Sequence, residues 1–109
     1  MRTAYDKLVR DRIAARLDAS GVTCETRLAA PEEMDELLMR KLHEEVDELG
    51  AATLASDIKE EIVDILEVVY AIAARHGSSE QDLTERRTTK LHERGAFRDG
   101  VVLLWTEPR

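Results

Sequence analysis

Apolar residues recur every three or four positions along most of the chain, the spacing that gives a helix one face for a core. Val9, Ile13 and Leu17 form such a stripe and predict a first helix from about Tyr5 to Ser20, with Gly21 as its stop. Met34, Leu38, Leu42, Leu49 and Ala52 predict a second. It opens at Pro31-Glu32-Glu33, where proline suits the first turn and carboxylates suit the positive helix end, and runs to about Leu54. Ile58, Ile62, Ile65, Val69 and Ile72 make the main stripe of a third helix, while Val63, Leu66, Val68 and Ala71 spread apolar surface around most of its circumference. Asp57 and Glu60 have capping-box spacing at its start, and Gly77 closes it. A fourth begins at Ser78-Ser79, three residues ahead of Gln81 and Asp82, and ends at Gly95. Val22 to Leu28 reads as a short strand, and so does Val101 to Thr106 after the turn signal Asp99-Gly100, so the two are candidates to pair. The expected fold is all-α in substance, a four-helix bundle-like arrangement with a small C-terminal β element. No repeat, low-complexity tract or linker divides it, and residues 1–109 read as one domain.

Composition narrows the function classes. With 43% hydrophobic and 36% charged residues the chain has enough apolar content to fold. A formal net charge of −7 disfavours binding to nucleic acid or to an anionic membrane. The single cysteine, Cys24, forms no internal disulfide and no cysteine-based zinc site, which fits a reducing compartment, and the cytoplasm is expected. The longest apolar stretch, Ile65 to Ala74, is interrupted by Glu67 and too short to span a bilayer, and the charged N-terminus does not read as a signal peptide.

The candidate chemistry lies in the acids of the two central helices. Glu45 falls in the middle of the second helix's apolar stripe, with Glu48 on its flank; Glu61 and Asp64 interrupt the apolar surface of the third. Each pair is separated by three residues and therefore shares a helix face, one turn apart. Facing each other, the pairs would concentrate four negative charges in a partly dry space, where they repel or take up protons. A hard divalent cation, Mg²⁺ or Mn²⁺, relieves this and leaves positions for phosphate oxygens. The alternative is that these are ordinary flank residues paired with Lys41, Lys59 or arginines.

Glu44-Glu45-Val46-Asp47-Glu48, a twelve-residue spacer, then Glu61-Ile62-Val63-Asp64 resembles the Glu-Glu-x-x-Glu … Glu-x-x-Asp motif of the MazG-like all-α NTP pyrophosphohydrolases. Tyr5 to Ile13 resembles the opening of the phosphoribosyl-ATP pyrophosphohydrolase-like branch of that superfamily, and Lys90 to Phe97 its closing segment. Ala14 stands where that branch usually has proline, and Ala96 where a second glycine is common; neither touches the acidic set. The resemblance implies a MazG-type fold and hydrolysis of a nucleoside triphosphate between its α and β phosphorus atoms, giving a monophosphate and pyrophosphate, in nucleotide-pool house-cleaning. It implies Glu45, Glu48, Glu61 and Asp64 as ligands to Mg²⁺, and gives catalytic roles to Glu45 and to Glu44, the latter accepting a proton from water or orienting a ligand. Such chemistry needs charge neutralisation and an in-line water more than a protein nucleophile.

A triphosphate also needs cations from the protein. Arg87, Lys90 and Arg94 lie at i, i+3 and i+7 on the fourth helix, and Lys7 and Arg10 form a second basic pair on the first; the competing assignment for Lys7 is an ion pair with Asp11. His43 turns off the ligand face, His76 and His92 lie near helix ends, and none of the four aromatics, Tyr5, Tyr70, Phe97 and Trp105, is assigned to a base pocket. The apolar circumference of the third helix predicts a homodimer or homotetramer, as the resemblance also implies. Two other classes compete with the enzyme, a helical interaction module and a nucleotide-sensing binder without turnover. Among enzymes the runner-up is phosphoribosyl-ATP pyrophosphohydrolase of histidine biosynthesis, whose usual tyrosine–histidine pair is replaced here by Ile65-Leu66-Glu67-Val68-Val69 after Asp64.

Overall fold

The computed structural model describes all 109 residues and is helical throughout its regular parts: α1 (Ile13–Ala19), a 3₁₀ turn (Pro31–Glu33), α2 (Met34–Ala51), α3 (Ala55–Arg75) and α4 (Glu80–Arg94). No helix is long and apolar enough to cross a membrane.

The centre of the fold is the α2–α3 hairpin, whose connection is only Ala52 to Leu54. So short a link forces the helices antiparallel and adjacent. Their far ends are tied as well: the Arg75 Nε lies 2.6 Å from the Asp35 Oδ1, and its Nη2 donates to the Pro31 carbonyl at 3.1 Å. At the start of α2 the Glu33 carboxylate accepts from the Ala30 N–H at 2.9 Å, the reach-back half of a capping box, and receives both Nη groups of Arg27. These contacts, Arg27 foremost, hold the Glu33 carboxyl down to about 2.

On α2 the expected stripe faces the core: Leu38 is buried, and Met34, Leu42, Leu49 and Ala52 are half-buried. On α3 the packed face is rotated from the expected one. Val68 is its buried residue, with Ile58, Ile65, Val69 and Ile72 half-buried, whereas Ile62, Val63 and Leu66 lie exposed. One partner helix covers a single side of α3 and leaves the rest open.

Helix ends follow local chemistry where that chemistry is backbone-directed. After α1 and α3 the chain leaves through Gly21 and Gly77 at φ 79° and 75°. Val22 and Ser78 N–H groups donate back to Leu17 and Ala73, and the glycine N–H groups to Asp18 and Ala74, the paired bonds of a Schellman motif. Before α4 the Ser79 side chain accepts from the Asp82 N–H at 3.1 Å, as its spacing predicts. The Asp57–Glu60 capping box does not form, because α3 begins at Ala55 with Leu54 as its N-cap and Asp57 already inside the first turn.

Three further expectations are corrected. The first helix starts at Ile13, not near Tyr5, because residues 5–10 are drawn across the hairpin by their side chains and Asp6 takes a left-handed backbone that breaks a helix. No β element forms: Val22–Leu28 and Val101–Thr106 make no ladder and are exposed, since a strand is stable only with a neighbour and a face to pack on, and one chain supplies neither. The four helices do not close into a bundle. Helix α4 has no packing comparable to the α2–α3 contact; with α3 it borders an open groove of about 1180 Å³ lined by Leu66, Val69, Tyr70 and Leu83.

Candidate metal centre

The register of the hairpin brings the two acidic pairs together. Donor oxygens of Glu44, Glu45 and Glu48 lie within 4.8 Å of one another, as do those of Glu45, Glu61 and Asp64, so Glu45 joins the two groups. It projects from the apolar stripe of α2 and is only 5% exposed. Its Oε1 meets the Lys41 Nζ at 3.2 Å, whereas its Oε2 has no partner; the Glu61 Oε2 is likewise buried and unpartnered. A buried carboxylate oxygen without a donor is costly, and two in one cluster mark a place where positive charge is missing.

The donor set is oxygen-only. His43, next to the cluster in sequence, is exposed, and Cys24 and the other histidines take no part in it. Carboxylates from facing helices suit a hard cation of the Mg²⁺ or Mn²⁺ kind better than zinc, whose usual sites include histidine or cysteine. The Glu61 carboxyl is pushed up to about 7, first by burial and then by the neighbouring carboxylates of Glu45 and Glu48, which favour a shared proton. Glu44, half-buried, moves the other way: the Lys7 ammonium bonded to it is the main cause, and Lys41, 3.5 Å from its Oε2, adds to the effect.

The raised Glu61 value has a definite pH signature. The folded chain holds that proton more tightly than the unfolded chain, so this group's contribution to stability falls as pH rises from about 4.5 to about 7. Glu33, Asp35, Glu44 and Asp82 all have lowered values, and their contributions are lost only as pH falls below the ordinary carboxylate range. The two windows are separate. In chelator, the melting temperature of the natural chain is expected to drop more between about pH 5 and about pH 8 than that of Glu61→Gln. Parallel curves would show that Glu61 does not carry the proton.

The cations lie differently from the sequence expectation. Lys7 pairs with Glu44 at 2.7 Å rather than with Asp11, and Arg10 pairs with Asp64 at 2.7 Å. Both belong to the non-helical lead into α1. Lys41, expected only as a possible flank partner, touches both Glu44 and Glu45, while Lys59 makes no ion pair. Arg87, Lys90 and Arg94 border the α3–α4 groove and none pairs with the acids of the cluster, so one chain does not unite the basic stripe of α4 with the acidic site. The sequence assigns Tyr5 no contact, whereas in the structure its ring lies 5.3 Å from the Lys7 Nζ. No local signal marks it, because the contact depends on the bend at Asp6. In comparisons with family models, curated proteins and solved structures, the chain matches none.

Proposed function

We propose that this chain hydrolyses a nucleoside triphosphate at the α–β bond, releasing pyrophosphate, with a divalent cation held by Glu45, Glu48, Glu61 and Asp64. The observation that carries the reading is the pair of buried, unpartnered oxygens on Glu45 and Glu61 within one cluster of acids from facing helices. When bound, Mg²⁺ supplies charge neutralisation for the phosphate oxygens and a lowered pKa for water. The protein residues divide the remaining work. Glu44, held by Lys7 and Lys41 beside the ligand set, orients that set or accepts a proton from the attacking water; its lowered pKa makes it a weak base and favours the orienting role. Arg10 is the main phosphate-binding cation near the cluster, and Lys7, while bonded to Glu44, keeps ammonium donors that can meet a phosphate oxygen. Arg87, Lys90 and Arg94 keep a phosphate role where a second copy brings its α4 to the acids.

The discriminating experiment is a pyrophosphate-release screen of canonical and modified nucleotides, with phosphoribosyl-ATP included, in Mg²⁺ and in Mn²⁺. Metal-dependent release from nucleoside triphosphates supports the proposal, and release from phosphoribosyl-ATP alone moves the assignment to histidine biosynthesis. Folded protein that binds Mn²⁺ and turns over none of them is a binding or interaction module. Independently of substrate, metal is expected to raise the melting temperature: a cation at a hundredfold excess over its Kd stabilises the native state by about 2.7 kcal/mol. Glu45→Gln and Asp64→Asn are expected to remove most of that rise. An equal rise in the natural chain and both variants would place the metal elsewhere.

A further inference from the structure

The segment ahead of α1 is a strap laid across both helices of the hairpin. Asp6 has φ 45°, a left-handed conformation that is uncommon outside glycine but that asparagine and aspartate adopt more readily than other residues. The bend sets Tyr5 and Lys7 together, the ammonium over the ring. From there Lys7 reaches α2 at Glu44 and Arg10 reaches α3 at Asp64, contacts that span 37 and 54 residues of sequence. One cation is thus set on each helix, and both partners are acids of the cluster.

The two contacts are chemically unequal. Asp64 groups with Glu45 and Glu61, the part of the cluster that contains both unpartnered buried oxygens, and Arg10 is its one ion-pair partner. Glu44 groups with Glu45 and Glu48 and is held by two ammonium groups, from Lys7 and Lys41. A divalent cation among Glu45, Glu61 and Asp64 therefore competes with the Arg10 guanidinium for the Asp64 carboxylate, and with Lys41 for that of Glu45. Lys41 still has Glu44 beside it, and Lys7 touches no acid of that group, so Arg10 is the cation left without a partner.

Resting on the metal-site reading above, we propose that Arg10 is an exchangeable counter-ion. It neutralises Asp64 while the cluster lacks a divalent cation and is displaced when one binds. The released guanidinium, with forked donors that match a phosphate, then turns to the polyphosphate, while Lys7 stays on Glu44 and anchors the strap. The exchange links the two ligands: metal binding makes the phosphate contact available, and polyphosphate that captures Arg10 strengthens the hold on metal.

Calorimetric titration with Mn²⁺, without nucleotide, tests the exchange on the natural chain, Arg10→Gln and Lys7→Gln, with Glu45→Gln marking loss of the site. Removing an exposed ion pair that competes with the metal is expected to tighten Mn²⁺ binding about two- to fivefold in Arg10→Gln, and by less in Lys7→Gln. In the natural chain the Arg10 side-chain N–H signal is expected to shift in step with Mg²⁺ saturation, a readout that needs no variant. A natural chain that binds no Mn²⁺ overturns the metal site and the exchange with it. Mn²⁺ binding that is lost in Glu45→Gln but no tighter in Arg10→Gln, or an Arg10 signal indifferent to Mg²⁺, overturns the exchange and leaves the site standing.

Discussion

Light scattering of the purified chain at micromolar concentration is expected to give at least twice its mass of 12.3 kDa. A compact monomer of that mass has an accessible surface of about 6,100 Å², against 10206 Å² here. Its radius of gyration would be about 13 Å, whereas this chain measures 18.6 Å with a longest extent of 63 Å. Only three of its 109 residues are buried, and one of those is Glu45. What a core would hold lies outside instead: Ile62, Val63 and Leu66 on α3, Leu91 on α4, and Phe97 with Val101 to Trp105 beyond it. The surplus, about 4,000 Å² per chain or about 8,000 Å² for a pair, lies above the roughly 2,000–5,000 Å² that obligate homodimer interfaces commonly bury in total, room enough for an extensive pairing. A second copy laid on the open side of α3 would cover the α3–α4 groove self-complementarily. Val69→Asp or Ile72→Asp, each lining that groove, is expected to abolish folding rather than release a soluble monomer. Burial of such a side chain contributes about 1.5–3 kcal/mol, and a charge in its place adds a desolvation cost, against a total stability of about 5–15 kcal/mol. A folded, active species of single-chain mass would refute the pairing.

Loss of turnover is the second large effect. Glu48→Gln and Glu61→Gln each keep side-chain shape but remove a charge from the cluster, and a fall in pyrophosphate release of about 10²-fold or more is expected, with weakened Mn²⁺ binding. Lys90→Ala and Arg94→Ala, remote from the acids within one chain, are expected to leave Mn²⁺ affinity unchanged while weakening nucleotide binding about tenfold, the worth of one charge-assisted hydrogen bond. The two sets separate metal holding from phosphate holding. Unchanged Mn²⁺ affinity in both acidic variants would remove Glu48 and Glu61 from the ligand set.

The positions of α2, α3 and α4 were legible in the sequence because their causes are local: apolar spacing, the Ser79 cap and the glycines that end α1 and α3 act within a few residues. So was the anomaly of Glu45, since an acid in the middle of an apolar stripe is carried into the core by its neighbours. That its carboxylate meets those of Glu61 and Asp64 required the tertiary structure. Their approach depends on the antiparallel register fixed by the three-residue connection and by Arg75 on Asp35 and Pro31. The strap is the clearest case of a tertiary decision. Val9, Ile13 and Leu17 have helical spacing, yet ion pairs to acids 37 and 54 residues away and the bend at Asp6 hold the first part of that stripe out of the helix. Propensity sums small local preferences, and contacts between distant residues override them without leaving a mark in the local sequence. The two β-rich segments fail for the complementary reason: their side chains suit a strand, but a strand needs a neighbour, and within one chain the packing of α2 on α3 provides none.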